Sequence, residues 1–335
     1  MMHTGGLAGP SQSPPPMADG SPRKLISIVT PCFNEAGNVR AFYDAVRTQF
    51  AALPEYRYEH VFIDNDSRDG TRAMLRTLCA EDRNVKAVFN ARNFGPIRSG
   101  IHVLMQVRGD AVIGMACDFQ DPPELIPKFL EEWNRGAKVV MGVKASVTER
   151  GWKKWARTTY YRILSSIADA PVVSDATGFG LYDRQVVEDV RRIGDPFPFF
   201  RGLLAEIGYP PVLVPFHQPE RRSGKSSYNL LTYIDQALLG ITAHSRMPLR
   251  LATLSGVALS VLSLTVGFGY LVAKLLFWDS FTLGLAPILV GFFLLTSVQL
   301  LFIGLVGEYI GVIFTHVRRL PHVFEIERIN FDRDG

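Results

Sequence analysis

Two long apolar runs interrupt an otherwise regular alternation of hydrophobic and polar positions. Residues 251–273 lie between Arg250 and Lys274, and residues 280–307 between Asp279 and Glu308, with a short polar hinge at 279–284. Each exceeds the roughly 20 residues that cross a hydrocarbon core, so the pattern predicts a transmembrane helical hairpin in preference to two buried core helices. Upstream, short β-branched runs alternate with stretches of helical spacing. The pairs are 25–30 with 35–50, 58–63 with 71–80, 85–89 with 97–107, and 111–116 with 123–134, followed by a further apolar run at 137–143. Strand and helix repeating in this way predict right-handed crossovers and an α/β fold with a mostly parallel sheet covered on both faces. Ligands bind such sheets at the carboxyl ends of the strands, which directs attention to the loops at 34–37, 64–70, 92–95 and 118–124.

Two further helices are expected near the membrane. Residues 151–168 carry Trp152, Trp155, Tyr160 and Tyr161 among Lys153, Lys154, Arg157 and Arg162, which suits a helix at headgroup level or an ordinary packed surface helix. Residues 230–243 place Leu230, Ile234, Leu238 and Ile241 on one face, as an in-plane juxtamembrane helix would. These signals divide the 335 residues into a disordered tail (1–22), an α/β domain (23–228), an amphipathic helix (229–248), two spanning helices (249–316) and a cytoplasmic tail (317–335).

Composition sharpens this picture in three places. The net charge of +4 is scattered and gives no argument for nucleic acid as a partner. Arg246 and Arg250 precede the first run while Arg318 and Arg319 follow the second, so the positive-inside rule places both hairpin ends and the large domain in the cytoplasm, in a multi-pass protein of the cell membrane. Lys274 can snorkel on the far side. Cys32, Cys79 and Cys117 show neither CxxC spacing nor an even count, which suits a reducing compartment. Residues 1–22 are rich in Pro, Ser and Gly and lack the apolar core of a signal peptide.

The loops carry the candidate chemistry. Asp118 directly follows an apolar strand, where a carboxylate can hold Mg²⁺ or Mn²⁺ and the cation can clamp a diphosphate. Asp121 and Glu124, ahead of a helix, are expected to cap it. In Asp64-Asn-Asp-Ser-Arg-Asp-Gly-Thr71, carboxylates and amides can bond a base or ribose, or Ser67 and Asp69 can satisfy free N–H groups of a turn and helix start.

Val29-Thr-Pro-Cys-Phe-Asn-Glu35, Ile63-Asp-Asn-Asp-Ser67, Ala91-Arg-Asn-Phe-Gly95, Asp118-Phe-Gln-Asp-Pro-Pro-Glu124 and Thr177-Gly-Phe-Gly-Leu-Tyr-Asp-Arg184 occur in that order. Together with Gly304-Leu-Val-Gly-Glu-Tyr-Ile-Gly311 they make nearly the whole chain resemble the family 2 glycosyltransferases of GT-A fold that charge polyprenyl phosphates, such as dolichyl-phosphate mannose synthase and bactoprenol glucosyltransferase. The resemblance implies a Rossmann-like GT-A domain, a nucleotide-sugar donor, a polyprenyl (undecaprenyl) phosphate acceptor in the membrane lipid, Mg²⁺ or Mn²⁺, a small homo-oligomer and a role in cell-envelope glycans. It places Pro31, Asn34, Glu35, Arg92 and Asn93 at the donor, Asp64 and Asn65 at the base, Asp118 and Gln120 at the metal and diphosphate, and Lys144, Arg221 and Arg222 at the acceptor phosphate.

The chain also departs from the family pattern. Ala116 stands where the first aspartate of Asp-x-Asp is usual, and Asn65 and Asp66 replace an aspartate and a glycine. Pro96 and Ile97 take the place of a Lys-Glu pair, and ungapped alignment puts Gly178 at the proposed base. Asp175 is the substitute carboxylate, while Asp183 before Arg184 is expected to cap a helix. A phosphate monoester is already largely a dianion at neutral pH, so this nucleophile scarcely needs a base. The implied reaction is inverting sugar transfer to the lipid phosphate. A degenerate subunit that only binds nucleotide sugar or lipid phosphate is the competing reading; a processive polysaccharide synthase would need more spans and a Gln-x-x-Arg-Trp motif.

Overall fold

A computed structural model describes residues 22–145, 176–195, 200–219, 247–277, 285–318 and 320–331. The expected helices at 151–168 and 230–243, together with Asp175, Arg221 and Arg222, lie outside the described residues.

The first four strands and helices alternate as the pattern predicts: β1 (Leu25–Cys32), α1 (Val39–Ala51), β2 (Arg57–Asp64), α2 (Thr71–Glu81), β3 (Val85–Asn90), α3 (Pro96–Gln106) and β4 (Ala111–Gly114). A 3₁₀ turn (Pro123–Leu125) leads into α4 (Ile126–Asn134), then come β5 (Val139–Lys144), β6 (Ala176–Asp183), α5 (Arg184–Ile193), α6 (Phe200–Ile207) and β7 (Pro211–Phe216). Two long helices follow, α7 (Met247–Leu276) and α8 (Leu285–Arg318), and a last strand, β8 (Glu325–Ile329). The eight strands form one sheet in the order β7-β5-β6-β4-β1-β2-β3-β8. β1 to β4 are parallel, β7 is parallel to β5, and β6 and β8 run against their neighbours. This is the mostly parallel, Rossmann-like sheet of a GT-A domain.

Side chains alternate across the sheet, so each strand feeds two cores. Ile26, Ile28, Phe62, Phe89 and Ile113 pack with Val39, Phe42, Val46 and Phe50 of α1 and with α2 and α4. Val29, Val61, Ile63, Val88 and Val112 pack on the other face with Val103 and Leu104 of α3 and Val186, Val187 and Val190 of α5. Both faces being covered explains why the central strands read as unbroken apolar runs instead of alternating ones.

α7 and α8 are long and apolar enough to cross a membrane, in the windows Leu251–Gly269 and Leu294–Arg318, and among the described residues none in either window is buried. α8 continues beyond the charge-free run, through Glu308 to Arg318, two residues past the expected end of the spanning helices at 316. Among the described residues, a Cβ added at Gly304, Gly307 or Gly311 would meet nothing within 4 Å. The larger surprise follows them. Residues expected to form a tail instead return to the domain, where β8 pairs antiparallel with β3 and closes that edge of the sheet.

Candidate active site

The loops after β1, β2, β3 and β4 meet at the carboxyl edge of the sheet and are stitched to one another. Cys32 ends β1 opposite Asp64, the last residue of β2, and the Asn65 amide donates to the Cys32 carbonyl at 2.9 Å. Three successive amides of the first loop then donate to side chains of the second: Asn34 to Ser67 Oγ (2.8 Å), Glu35 to Thr71 Oγ1 (2.9 Å) and Ala36 to Asp69 Oδ2 (3.0 Å). The Arg68 amide returns a bond to Asn34 Oδ1 at 2.9 Å. Asn34 and Asp66 have φ of 57° and 67°. Asn and Asp are the residues beyond glycine that tolerate this left-handed region, so aspartate can stand at position 66. Asp69 also accepts from the amide of Thr71 at the start of α2, as expected of a turn residue.

Pro31 and Glu35 are half-buried and Asn34 is exposed, so this first loop faces outward. Asp64 and Asn65 are placed differently. Asp64 is fully buried, accepting from Arg72 Nε at 2.6 Å and from the Ser67 amide, while Arg72 also donates to the Asn90 carbonyl at 2.7 Å. Asn65, 2% exposed, accepts through Oδ1 from Asn90 Nδ2 (2.8 Å) and Ser99 Oγ (2.5 Å). The expected base contacts thus serve here to organise the loops from beneath. Arg72, Asn90 and Ser99 were not singled out from the sequence; each carries an ordinary side chain in a helix or strand, with nothing local to mark it. Arg92 and Asn93 lie on the exposed part of the third loop, the Arg92 guanidinium 4.0 Å from the centre of the Phe94 ring and Asn93 Oδ1 accepting from the Gly95 amide at 2.8 Å.

The fourth loop carries Asp118. Phe119 takes a left-handed φ of 63° and sets its ring edge-on against Phe42 of α1 at 5.4 Å, which anchors the turn in the core between Asp118 and Gln120. The Gln120 amide donates to Asp118 Oδ1 at 3.1 Å. Asp121 does not cap the following helix, contrary to expectation. It folds back and accepts from the Ala116 amide at 2.8 Å, and Glu124 is exposed without a capping bond. The two residues after Asp121 are prolines, with no N–H for a cap to receive. Burial pushes the Asp121 carboxyl up to about 7; the Ala116 amide opposes the shift, neighbouring Asp118 adds to it, and Lys144 at the end of β5 opposes it. Lys144, the acceptor-side expectation, thus acts electrostatically on this turn.

Cys32 and Cys117 come together beneath this turn. Contact with Cys117 and burial hold the Cys32 thiol well above the ordinary range, the mark of an inert cysteine. Gly178 flanks the end of β4, its carbonyl 3.4 Å from where a Cβ of Gly114 would lie, and has φ +89°. Asp183, at the opposite end of β6, caps α5 through the Gln185 amide at 3.0 Å as expected, and accepts from Trp133 and Lys138.

Among the described residues no three His, Cys, Asp or Glu side chains converge as a metal cage. Asp118 and Gln120 offer hard oxygen donors, which fits a cation such as Mg²⁺ that takes one or two protein carboxylates and fills its remaining positions with substrate phosphates and water.

Residues 27–191 match the family described as Glycosyl transferase family 2. A prophage-derived bactoprenol glucosyl transferase of Shigella flexneri is 33% identical over 297 residues, 88% of this chain and 96% of that protein. The chain belongs to glycosyltransferase family 2. An uncharacterised glycosyltransferase of Bacillus subtilis is 32% identical to this glycosyltransferase over 88% of the chain and 91% of its own length. Among solved structures, glucosyl-3-phosphoglycerate synthase from Mycobacterium tuberculosis aligns with a TM-score of 0.45 and 17% identity, over 65% of this chain and 78% of that one.

Proposed function

We propose that this glycosyltransferase moves a sugar from a nucleoside-diphosphate sugar to a polyprenyl phosphate at the cytoplasmic face of the membrane, with inversion. The observation that carries the reading is the joining of the four-loop site, with Asp118 on its fourth loop, to two long apolar helices in one chain. Relatives named bactoprenol glucosyl transferases, matched along nearly their whole length, support it.

The lipid phosphate oxygen attacks the anomeric carbon as the bond to the nucleoside diphosphate breaks, with no covalent enzyme intermediate. Exposed Asn34, Arg92 and Asn93 and half-buried Glu35 bind the donor, and the buried Asp64–Arg72 and Asn65–Asn90–Ser99 networks keep their loops in place. Mg²⁺ or Mn²⁺ held by Asp118 and Gln120 would offset the charge developing on the leaving diphosphate. Lys144, with Arg221 and Arg222, holds the acceptor phosphate by charge-assisted hydrogen bonds. Asp175 is the carboxylate available to the acceptor, and a small homo-oligomer serving cell-envelope glycan synthesis completes the proposal.

The test is transfer in detergent from a panel of radiolabelled UDP- and GDP-sugars to undecaprenyl phosphate with Mg²⁺ or Mn²⁺. Label enters the organic phase from one donor, and Asp118→Asn lowers kcat/KM by roughly 10² or more, as loss of charge stabilisation at a leaving group does. No label from any donor, in protein that still binds nucleotide, would favour the degenerate binding subunit.

A further inference from the structure

The segment that follows the membrane hairpin runs along the loop that carries Arg92 and Asn93. The Ala91 amide donates to the Phe324 carbonyl at 2.8 Å, and Arg98 donates to the Pro321 carbonyl at 3.0 Å. The Phe324 ring lies 6.2 Å from that of Phe94, the ring over which Arg92 stacks. One residue on, Glu325 accepts from His102 Nε2 of α3 and from Arg328. Burial opposes ionisation of Glu325, yet His102 and Arg328 hold its carboxyl down at about 2. β8 continues from there along β3, with a register shift at Asn90, the residue that bonds Asn65.

Closing the sheet edge does not need all of these contacts. The ladder with β3 and the Arg76–Glu327 ion pair at 2.6 Å already fasten the strand. Phe324 is 53% exposed, so burying its own surface is not what holds it there. What its ring does is extend a row of contacts, Phe324 tilted against Phe94 and Phe94 under Arg92, that ends on the exposed face of the third loop.

We propose that Phe324 and Glu325 are positioning residues for the donor, holding the 91–95 loop in the shape that presents Arg92 and Asn93 to the nucleoside diphosphate. The inference rests on the reading of that loop as the donor side. Phe324 acts through Phe94, and Glu325 acts through His102 on α3, whose first turn follows the loop directly. The donor site is thus built in part by chain that lies beyond the membrane helices.

Full-length protein carrying Phe324→Ala, Phe324→Leu, Glu325→Gln or Glu327→Gln is to be compared with wild type in two assays. One is donor binding by calorimetry without acceptor, and the other is steady-state transfer with donor and lipid phosphate varied separately. Phe324→Ala and Glu325→Gln should raise the donor Kd and KM about tenfold and leave acceptor KM within about twofold, with Phe324→Leu between wild type and Phe324→Ala and Glu327→Gln close to wild type. Unchanged donor Kd and KM in both variants would overturn the proposal. So would a parallel loss of kcat, both KM values and melting temperature, which is what a purely structural strand gives. If the wild type binds nucleotide sugar but transfers to no lipid phosphate, the proposed reaction fails while the tenfold loss of donor binding still supports the positioning role.

Discussion

Gly178 lacks the backbone for a side chain. Among the described residues nothing lies within 4 Å of where a Cβ would stand, yet its φ of +89° belongs to a region that L-residues enter at a cost. Gly178→Asp, which would write the family's base into the ungapped position, should therefore lower stability by about 1–3 kcal/mol and bring no gain in transfer. Thermal melts beside the transfer assay check this, and a faster variant would show that the position does accept a catalytic carboxylate. Residues such as Asp118 and Asn34 could be found from the sequence because they sit at strand ends, where chemistry collects. That Asp64 and Asn65 lie buried could not, because burial there is decided by Arg72, Asn90 and Ser99, which are 8, 25 and 34 residues away from the side chains they bond.

The βα units were legible as elements because two periodicities, two for strands and 3.6 for helices, alternate cleanly over the first 134 residues. Their ends were less so. The first helix was expected from residue 35 but begins at Val39, and the amides of Asn34, Glu35 and Ala36 before it bond side chains that follow β2. β8 was missed because a five-residue strand with alternating exposure, placed after a long apolar run, reads as a polar tail; only β3 makes it a strand. α2 gives an element-scale prediction. Its first turn delivers Arg72 to the fully buried Asp64 carboxylate, so Arg72→Met leaves an uncompensated charge inside the domain and should cost about 3 kcal/mol in denaturant melts. Asp64→Asn in the same chain should recover part of that loss, as coupled partners do.

For the whole molecule, the return of β8 to the sheet constrains topology more firmly than charge counting does. The strands before α7 and the strand after α8 belong to one sheet, so whatever membrane crossings lie between them are even in number. Tags placed before residue 1 and after residue 335 should therefore share one fate in sealed vesicles treated with protease, either both cut or both protected. Opposite fates would mean that one of the two helices does not span. The hairpin itself was plain in the sequence, since few soluble cores tolerate charge-free runs of that length. The return of β8 also sets an order of events during synthesis. Asn330 reaches back 245 residues to the carbonyl of Val85, so the outer edge of β3 stays open on the ribosome until both apolar helices have been made. The wall of the third loop is then finished only by chains whose membrane segments already exist. A nascent or clipped chain ending before residue 320 would hold the Asp118 turn but leave the third loop and the edge of β3 without the contacts of Pro321, Phe324 and β8.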